Sequence, residues 1–519
     1  MKITARQAWI AAGTALLLAG LSLLMAWVSN GARSMAGWQS FLITGAAGLA
    51  FCWAWALVVR KEAPPRWLIW LVAGAIVLRL AVGIFWVAAL PVWGNPNEVQ
   101  QAGYVMFDPY LRDGAAWELA QSGEPLLSAF GGYSAHDQYG GLLFLSALTY
   151  RLLGGEVHQP LLMVMLTGMA SGMAVLFVWA FIRRLWGEPG ARIAAWGLAL
   201  YPEAVLLGSS QMREAFTIPL SAALAYLLVR YIQEREKKDL LLMAFMALIT
   251  ASFTWTFLLQ LAAILGLLLA GILIAGREKR PLPRWLAIVL AGLGVIILLA
   301  GGFLWGRLSS MNDFQSYLTA HSSGVVQAVT RRLPGILGVP FIVAYGVVRP
   351  LLPAALTELG PAEFWRWVAI WRSLGWTILL TMLVYATLMV IRKRQWLQPA
   401  GMLAWGSWVM ILVASFRAGG DMWDNPRYRA SFVIFQAALA IWAWLQHQEG
   451  REPLLRRLVV MVGLMEVVIT FWYAARYSDS GGLAGRVETR VAIGLGVGVL
   501  YWLLDWLWER RKKREGQFS

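Results

Sequence analysis

Apolar stretches of the length needed to cross a bilayer as helices, about 17 to 25 residues, recur from one end of the chain to the other. They predict spans over 8–29, 38–59, 67–90, 158–182, 191–208, 215–233, 239–254, 256–275, 285–305, 367–391, 397–416, 431–447, 457–476 and 489–508. The expected fold is therefore an all-α polytopic membrane protein with about fourteen transmembrane helices. Two segments interrupt the pattern. Residues 91–160 form a polar loop holding Glu98, Asp108, Asp113, Glu118, Glu124, Asp137 and Glu156. Residues 306–366 contain an apolar run bracketed by Pro334, Pro340, Pro350 and Pro353, which suits interfacial or re-entrant helices better than one straight span.

Composition agrees with this class. The chain is 59% apolar and 14% charged, against about 25% charged in a soluble domain, which excludes a cytosolic enzyme. The formal charge of +16 would suggest nucleic acid in a soluble protein, but the positions of the charges point elsewhere. All eight lysines fall in segments that face one side, including Lys61, Lys237, Lys238, Lys279 and Lys393. By the positive-inside rule that side is cytoplasmic, so both termini are expected inside and the loops 91–160 and 306–366 outside. The basic excess reads as a topological anchor near membrane lipids, and nucleic acid is not an expected partner. The first span lacks a small-residue cleavage site and is expected to stay as an anchor. One cysteine, Cys52, permits no internal disulfide framework and no cysteine metal site.

The outer loops carry the candidate chemistry. FDPYLRDGAAWELAQSG, 107–123, reads as a short surface helix with Pro109 in its first turn and Gly123 at its C-cap. Asp108 and Arg112, four apart, share a face; spacing alone also fits a solvated ion pair on an interfacial helix. A second amphipathic helix is expected from about Gly141, directly after Asp137. Arg213 and Glu214 lie on the same outer side, where isolated charges at membrane depth usually meet a partner or a cavity; they also suit a plain membrane boundary. Arg427, Tyr428 and Arg429, with Asp421 and Asp424, precede a late span. Arginine forks match phosphate oxygens, and they also match ordinary headgroups. The four histidines show no metal-ligand spacing, and no P-loop or nucleophile elbow occurs. The G-x-x-x-G at 494–498 predicts close helix packing.

The constellation resembles the GT-C superfamily of polytopic glycosyltransferases, in the branch of the protein O-mannosyltransferases and bacterial aminoarabinose transferases. The resemblance rests on VLRL with Arg79, on the outer-loop spacing of Asp108, Ala116 and Gly123, on Asp137 before Gly140-Gly141-Leu142-Leu143, and on the Arg427-Tyr428 pair. It covers about 67–447, with 1–66 as a two-helix extension and 448–519 as a helix pair and basic tail. Arg112 stands where the family has a tyrosine, and Gly140-Gly141 stands for a Pro-Pro pair. The resemblance implies a plasma-membrane enzyme of the cell envelope. It would move a sugar from a polyprenyl-phosphate lipid to a hydroxyl acceptor (protein, lipid or glycan) at the outer face. Asp108 or Asp113 would be the catalytic carboxylate, and Arg112, Asp137, Arg213, Glu214, Arg427, Tyr428 and Arg429 would bind substrate. Family members differ in metal dependence; no cofactor is expected, with a divalent cation left open. A ligase using a diphosphate-linked glycan is a close variant. The alternative from another class is a secondary transporter or lipid flippase, marked by inverted repeats with helices broken at the midplane.

Overall fold

The computed structural model describes residues 5–30, 35–276, 319–320, 322–357, 363–417, 426–450, 452–477 and 486–515. The described chain is helical, with no strand among those residues. It divides into two compact units, Met1–Leu269 with Ala430–Ile434, and Ala270–Arg429 with Phe435–Ser519.

The first unit contains α1 (Ala5–Asn30), α2 (Met35–Val58), α3 (Arg66–Trp93), α4 (Glu98–Gln101), α5 (Phe107–Gln121), α6 (Gly141–Leu153), α7 (Leu161–Trp186), α8 (Glu188–Leu200), α9 (Pro202–Gly208), α10 (Glu214–Glu234) and most of α11 (Lys237–Ala275). Its centre is α7, which packs against α2, α3, α8 and α10 and is buried along almost its whole length. An all-round apolar sequence such as LLMVMLTGMASGMAVLFVWAF suits that position.

Two buried polar arrangements brace this unit. Arg79 in α3 is 0% exposed. Its guanidinium donates to Ser171 Oγ at 2.9 Å and to the carbonyls of Ala199 and Leu198 at 3.3 and 3.4 Å. The helix there breaks at Tyr201 before Pro202, which frees carbonyls at the end of α8. Arg79 therefore caps a helix terminus. At the other end of α10, Arg230 donates to Asp239 Oδ2 at 2.9 Å and to the Val58 carbonyl at 2.6 Å, and Glu62 accepts from Arg184 Nε at 2.6 Å and Tyr226 at 3.0 Å. The basic residues expected to act as topological anchors are thus also paired with acids, which ties the α2–α3 turn, α7, α10 and α11 together.

In the second unit, the proline-bracketed stretch is resolved into Gly324–Arg332, Gly335–Val348 and Leu352–Thr357 instead of one span. The long helices Glu363–Arg392 and Pro399–Arg417 follow, then the start of Arg427–Ala430 and, from Phe435 on, the helix Val433–Gly450. A hairpin of Leu454–Tyr477 and Val487–Glu515 ends the described chain. Cβ atoms at Gly494 and Gly498 would lie 2.4 Å from Met465 Sδ and 2.5 Å from Met461 Cγ. The small-residue motif accordingly serves helix packing. Arg457 closes the hairpin on Asp505 and Glu509, both at 2.7 Å.

Nine helices among the described residues are long and apolar enough to cross a membrane. The difference from about fourteen has a physical cause at two places. The expected span 191–208 is two helices, because Tyr201 takes an extended conformation before Pro202. Spans 239–254 and 256–275 form one element broken at Thr254 (φ −170°, ψ 96°). The helices over 5–30 and 433–450 are present but fall outside the nine, and 285–305 lies outside the described residues.

Candidate functional site

The site is built on α5. Met106 is extended and ends the preceding turn, and Asp108 and Pro109 occupy the first turn, where an acid complements the helix dipole and a missing N–H costs nothing. The helix stops at Ser122, without a left-handed Gly123 cap. Arg151 of α6 takes over the freed carbonyls, with Nε 3.3 Å from Ala120 O and Nη2 3.0 Å from Ser122 O. This ties α6 to the end of α5.

The entry to α6 explains the glycine pair. Gly140 has φ +79°, and a Cβ there would sit 2.4 Å from Ala129 O. At Gly141 a Cβ would lie 2.3 Å from Ser252 O, so α6 begins directly against the backbone preceding the break in α11. Tyr139 OH meets Thr256 Oγ1 at 2.7 Å across the same junction. Asp137 holds the turn together and is 2% exposed. Its Oδ1 accepts from Tyr139 N at 3.2 Å and from Arg213 Nη2 at 2.5 Å, and its Oδ2 accepts from Leu143 N at 3.1 Å. The carboxyl is therefore committed to placing Arg213, whose guanidinium also lies 4.9 Å from the Tyr139 ring centroid.

Arg112 is the unexpected member. It makes no solvated pair with Asp108: it is 3% exposed and donates to the Gln211 carbonyl at 2.7 Å. No carboxylate lies within ion-pair distance of it among the described residues. Burial, and then the like charge of Arg213, push its guanidinium down to about 10, while Asp137, Asp108 and Glu214 act in the opposite sense. It still carries its proton at neutral pH. Five of the residues singled out in the sequence, Asp108, Arg112, Asp137, Arg213 and Glu214, thus form one electrostatic group. Asp108 is exposed on its rim. Two buried atoms in the group, Arg213 Nε and Glu214 Oε2, have no hydrogen-bond partner, which is uncommon in a packed interior.

Asp113 lies on a different face of α5 and is 2% exposed. Tyr104 and Tyr150 hydroxyls both donate to it at 2.5 Å, and His158 stands beside it. These partners were not identified from the sequence. The one available signal was Tyr150 on the buried face of an amphipathic helix, because a buried phenol needs an acceptor. A recess of about 20 Å³ bordered by Trp86, Tyr104, Ser209 and Gln211 is too small for a sugar.

Arg427, Tyr428 and Arg429 belong to the second unit. Arg429 donates to the Gly346 carbonyl at 3.0 Å and to Arg349 O, with its guanidinium 3.5 Å from the Trp376 ring centroid. It caps the helix Gly335–Val348. Arg417 and Arg427 lie 4.7 and 5.0 Å from the Tyr428 ring. Asp421 and Asp424 fall outside the described residues. No group of three or more histidine, cysteine or acidic side chains is placed to share a metal among the described residues. Comparison with protein-family profiles and with curated proteins finds no match to this sequence.

Proposed function

We propose that the chain is a membrane glycosyltransferase that moves a sugar from a polyprenyl-phosphate donor to a hydroxyl acceptor at the outer face of the cell-envelope plasma membrane. The observation that carries this reading is Arg112, a guanidinium 3% exposed that acts electrostatically with Asp137, Asp108 and Glu214 but has none of them, nor any other carboxylate among the described residues, within ion-pair distance. A buried cation is ordinarily paired, and a phosphate supplies both the missing charge and acceptors for the unused N–H groups. Arg213 Nε points to the same use.

The chemistry follows from the residues. Asp108 on the rim accepts the proton of the acceptor hydroxyl as its oxygen attacks the anomeric carbon. The bond from that carbon to the phosphate oxygen breaks, and Arg112 and Arg213 neutralise the departing phosphate. A phosphate leaving group needs no protonation, so the paired acid of a glycosidase is unnecessary. The lysine partition supports the orientation. Within the first unit, the Lys61, Arg184 and Arg230 cluster lies at one end of α10 and Arg213 at the other.

One observation favours a second reading. The break of α11 at Thr254, next to Thr256 and Tyr139, is the kind of discontinuity transporters use. The site's neighbouring cations favour the transferase. Arg112→Gln is expected to weaken binding of a farnesyl glycosyl phosphodiester by about 10- to 100-fold, the loss of a charged hydrogen bond, as measured by titration in detergent. Unchanged affinity would remove the phosphate site.

A further inference from the structure

The polar group around Asp113 is not used by the transfer chemistry proposed above. Tyr104 and Tyr150 occupy one carboxyl oxygen each, and burial, then the charge of Asp113, hold both phenols well above the usual tyrosine range. They act as fixed neutral donors. His158 is different. Its Nε2 lies 3.0 Å from Asp113 Oδ2, yet the contact is not aligned as a hydrogen bond. The ring is stacked on Trp117, with centroids 5.2 Å apart, and meets Tyr150 edge-on at 5.1 Å. Its side chain is 28% exposed.

A close contact that is not a hydrogen bond attracts chiefly through charge. The attraction therefore depends on whether the imidazole is protonated, and histidine changes charge between about pH 5 and 8. The groups facing His158 are Asp113 and Trp117 from α5, Tyr150 from α6 and Tyr104 from the turn before α5; in its own segment Glu156 is exposed. Asp113 is the charged partner among them.

The segment that carries His158 also reaches the other face of α5. Two residues on, the Pro160 carbonyl accepts from Gln211 Nε2 at 2.9 Å, and the Gln211 carbonyl in turn accepts from Arg112 Nη2 at 2.7 Å. Gln211 holds that carbonyl in a left-handed conformation, φ 52°, which is uncommon for a residue other than glycine. Residues 158–160 therefore tie both faces of α5, one through Asp113 and one through Gln211 to Arg112.

We propose that His158 is a positioning residue whose protonated imidazole draws the 158–160 segment onto Asp113 and so holds Gln211 and Arg112 in place for a phosphate. The role in phosphate binding rests on the reading of Arg112 given above. The positioning itself is separable from that reading.

Two measurements on the purified full-length chain in detergent, at about pH 5.5 and about pH 8, test this. The first is hydrogen–deuterium exchange of amides 107–121, expressed as protection relative to intrinsic rates. Wild type should be about tenfold better protected at the lower pH, since a charged pair is markedly stronger than a neutral contact; His158→Gln and Asp113→Asn should each give pH-independent protection. The second is affinity for a farnesyl glycosyl phosphodiester, whose own charge is the same at both pH values. It should tighten about tenfold at the lower pH in wild type and stay flat in both variants. Protection that is flat in wild type, or that keeps the same pH response in His158→Gln, overturns the proposal. A His158-dependent exchange response with no probe binding by wild type at either pH would instead overturn the phosphate reading and, with it, the role of His158 in serving that site.

Discussion

The two aspartates of α5 sit only five positions apart and have opposite surroundings. Asp108 is exposed in the first turn within electrostatic reach of Arg112, whereas Asp113 is enclosed by two phenols and an imidazole. The sequence left the choice of base open between them, and these surroundings favour Asp108. Asp108→Asn should lower turnover by about 10²-fold or more, the usual contribution of a positioned base, with stability lowered by no more than about 1 kcal/mol, the worth of an acid at a helix N-terminus. Asp113→Asn should lower stability by about 1–3 kcal/mol, because two buried hydroxyls lose a charged acceptor, and should cut turnover less. Parallel melting and turnover measurements on the two variants check both outcomes; equal loss of turnover in the two would void the distinction. The acidic and basic members of the group were legible from sequence because charges are rare in an apolar chain. Tyr104, Tyr150, His158 and Gln211 were not, since their partners lie 9 to 99 residues away and aromatic or amide residues are common near membrane surfaces.

At the scale of elements, α5 and α6 were predictable from their amphipathic patterns, and both occur close to the expected bounds. The segment 191–208 was read as a single span because hydropathy alone does not register the turn before Pro202. Arg79, noted as part of a motif, has its role set by that same turn, since it takes the carbonyls the turn exposes. The Gly140-Gly141 pair has its own physical reasons. One supplies a left-handed turn, and the other lets a helix start against the backbone of α11. Gly141→Ala should therefore destabilise the fold by about 1–3 kcal/mol through overpacking and loosen the Asp137 and Arg213 arrangement. Thermal unfolding with exchange mass spectrometry of residues 137–153 reads this; wild-type values for both would mean that the close approach to Ser252 carries no constraint.

For the molecule as a whole, the helical membrane class was evident from apolar run length and charge scarcity, and the nine long apolar helices bear it out. The division into two units was not evident, because no polar linker or change of composition marks it. The proposed orientation rests on the lysines: Ser134, in the loop expected outside, changed to cysteine, should react with an impermeant thiol reagent from outside the cell and Lys61→Cys only from inside. The reverse pattern would invert the topology. In the proposed reaction the lipid donor is broken at its sugar–phosphate bond next to Asp108. The most direct measurement reconstitutes the chain in liposomes with polyprenyl-phosphate sugars and a hydroxyl acceptor, and follows the lipid by mass spectrometry. Release of free polyprenyl phosphate with the sugar on the acceptor is expected, slowed about 10²-fold or more in Asp108→Asn. Intact donor that merely changes leaflet, at the same rate in Asp108→Asn, would contradict it and establish a transporter.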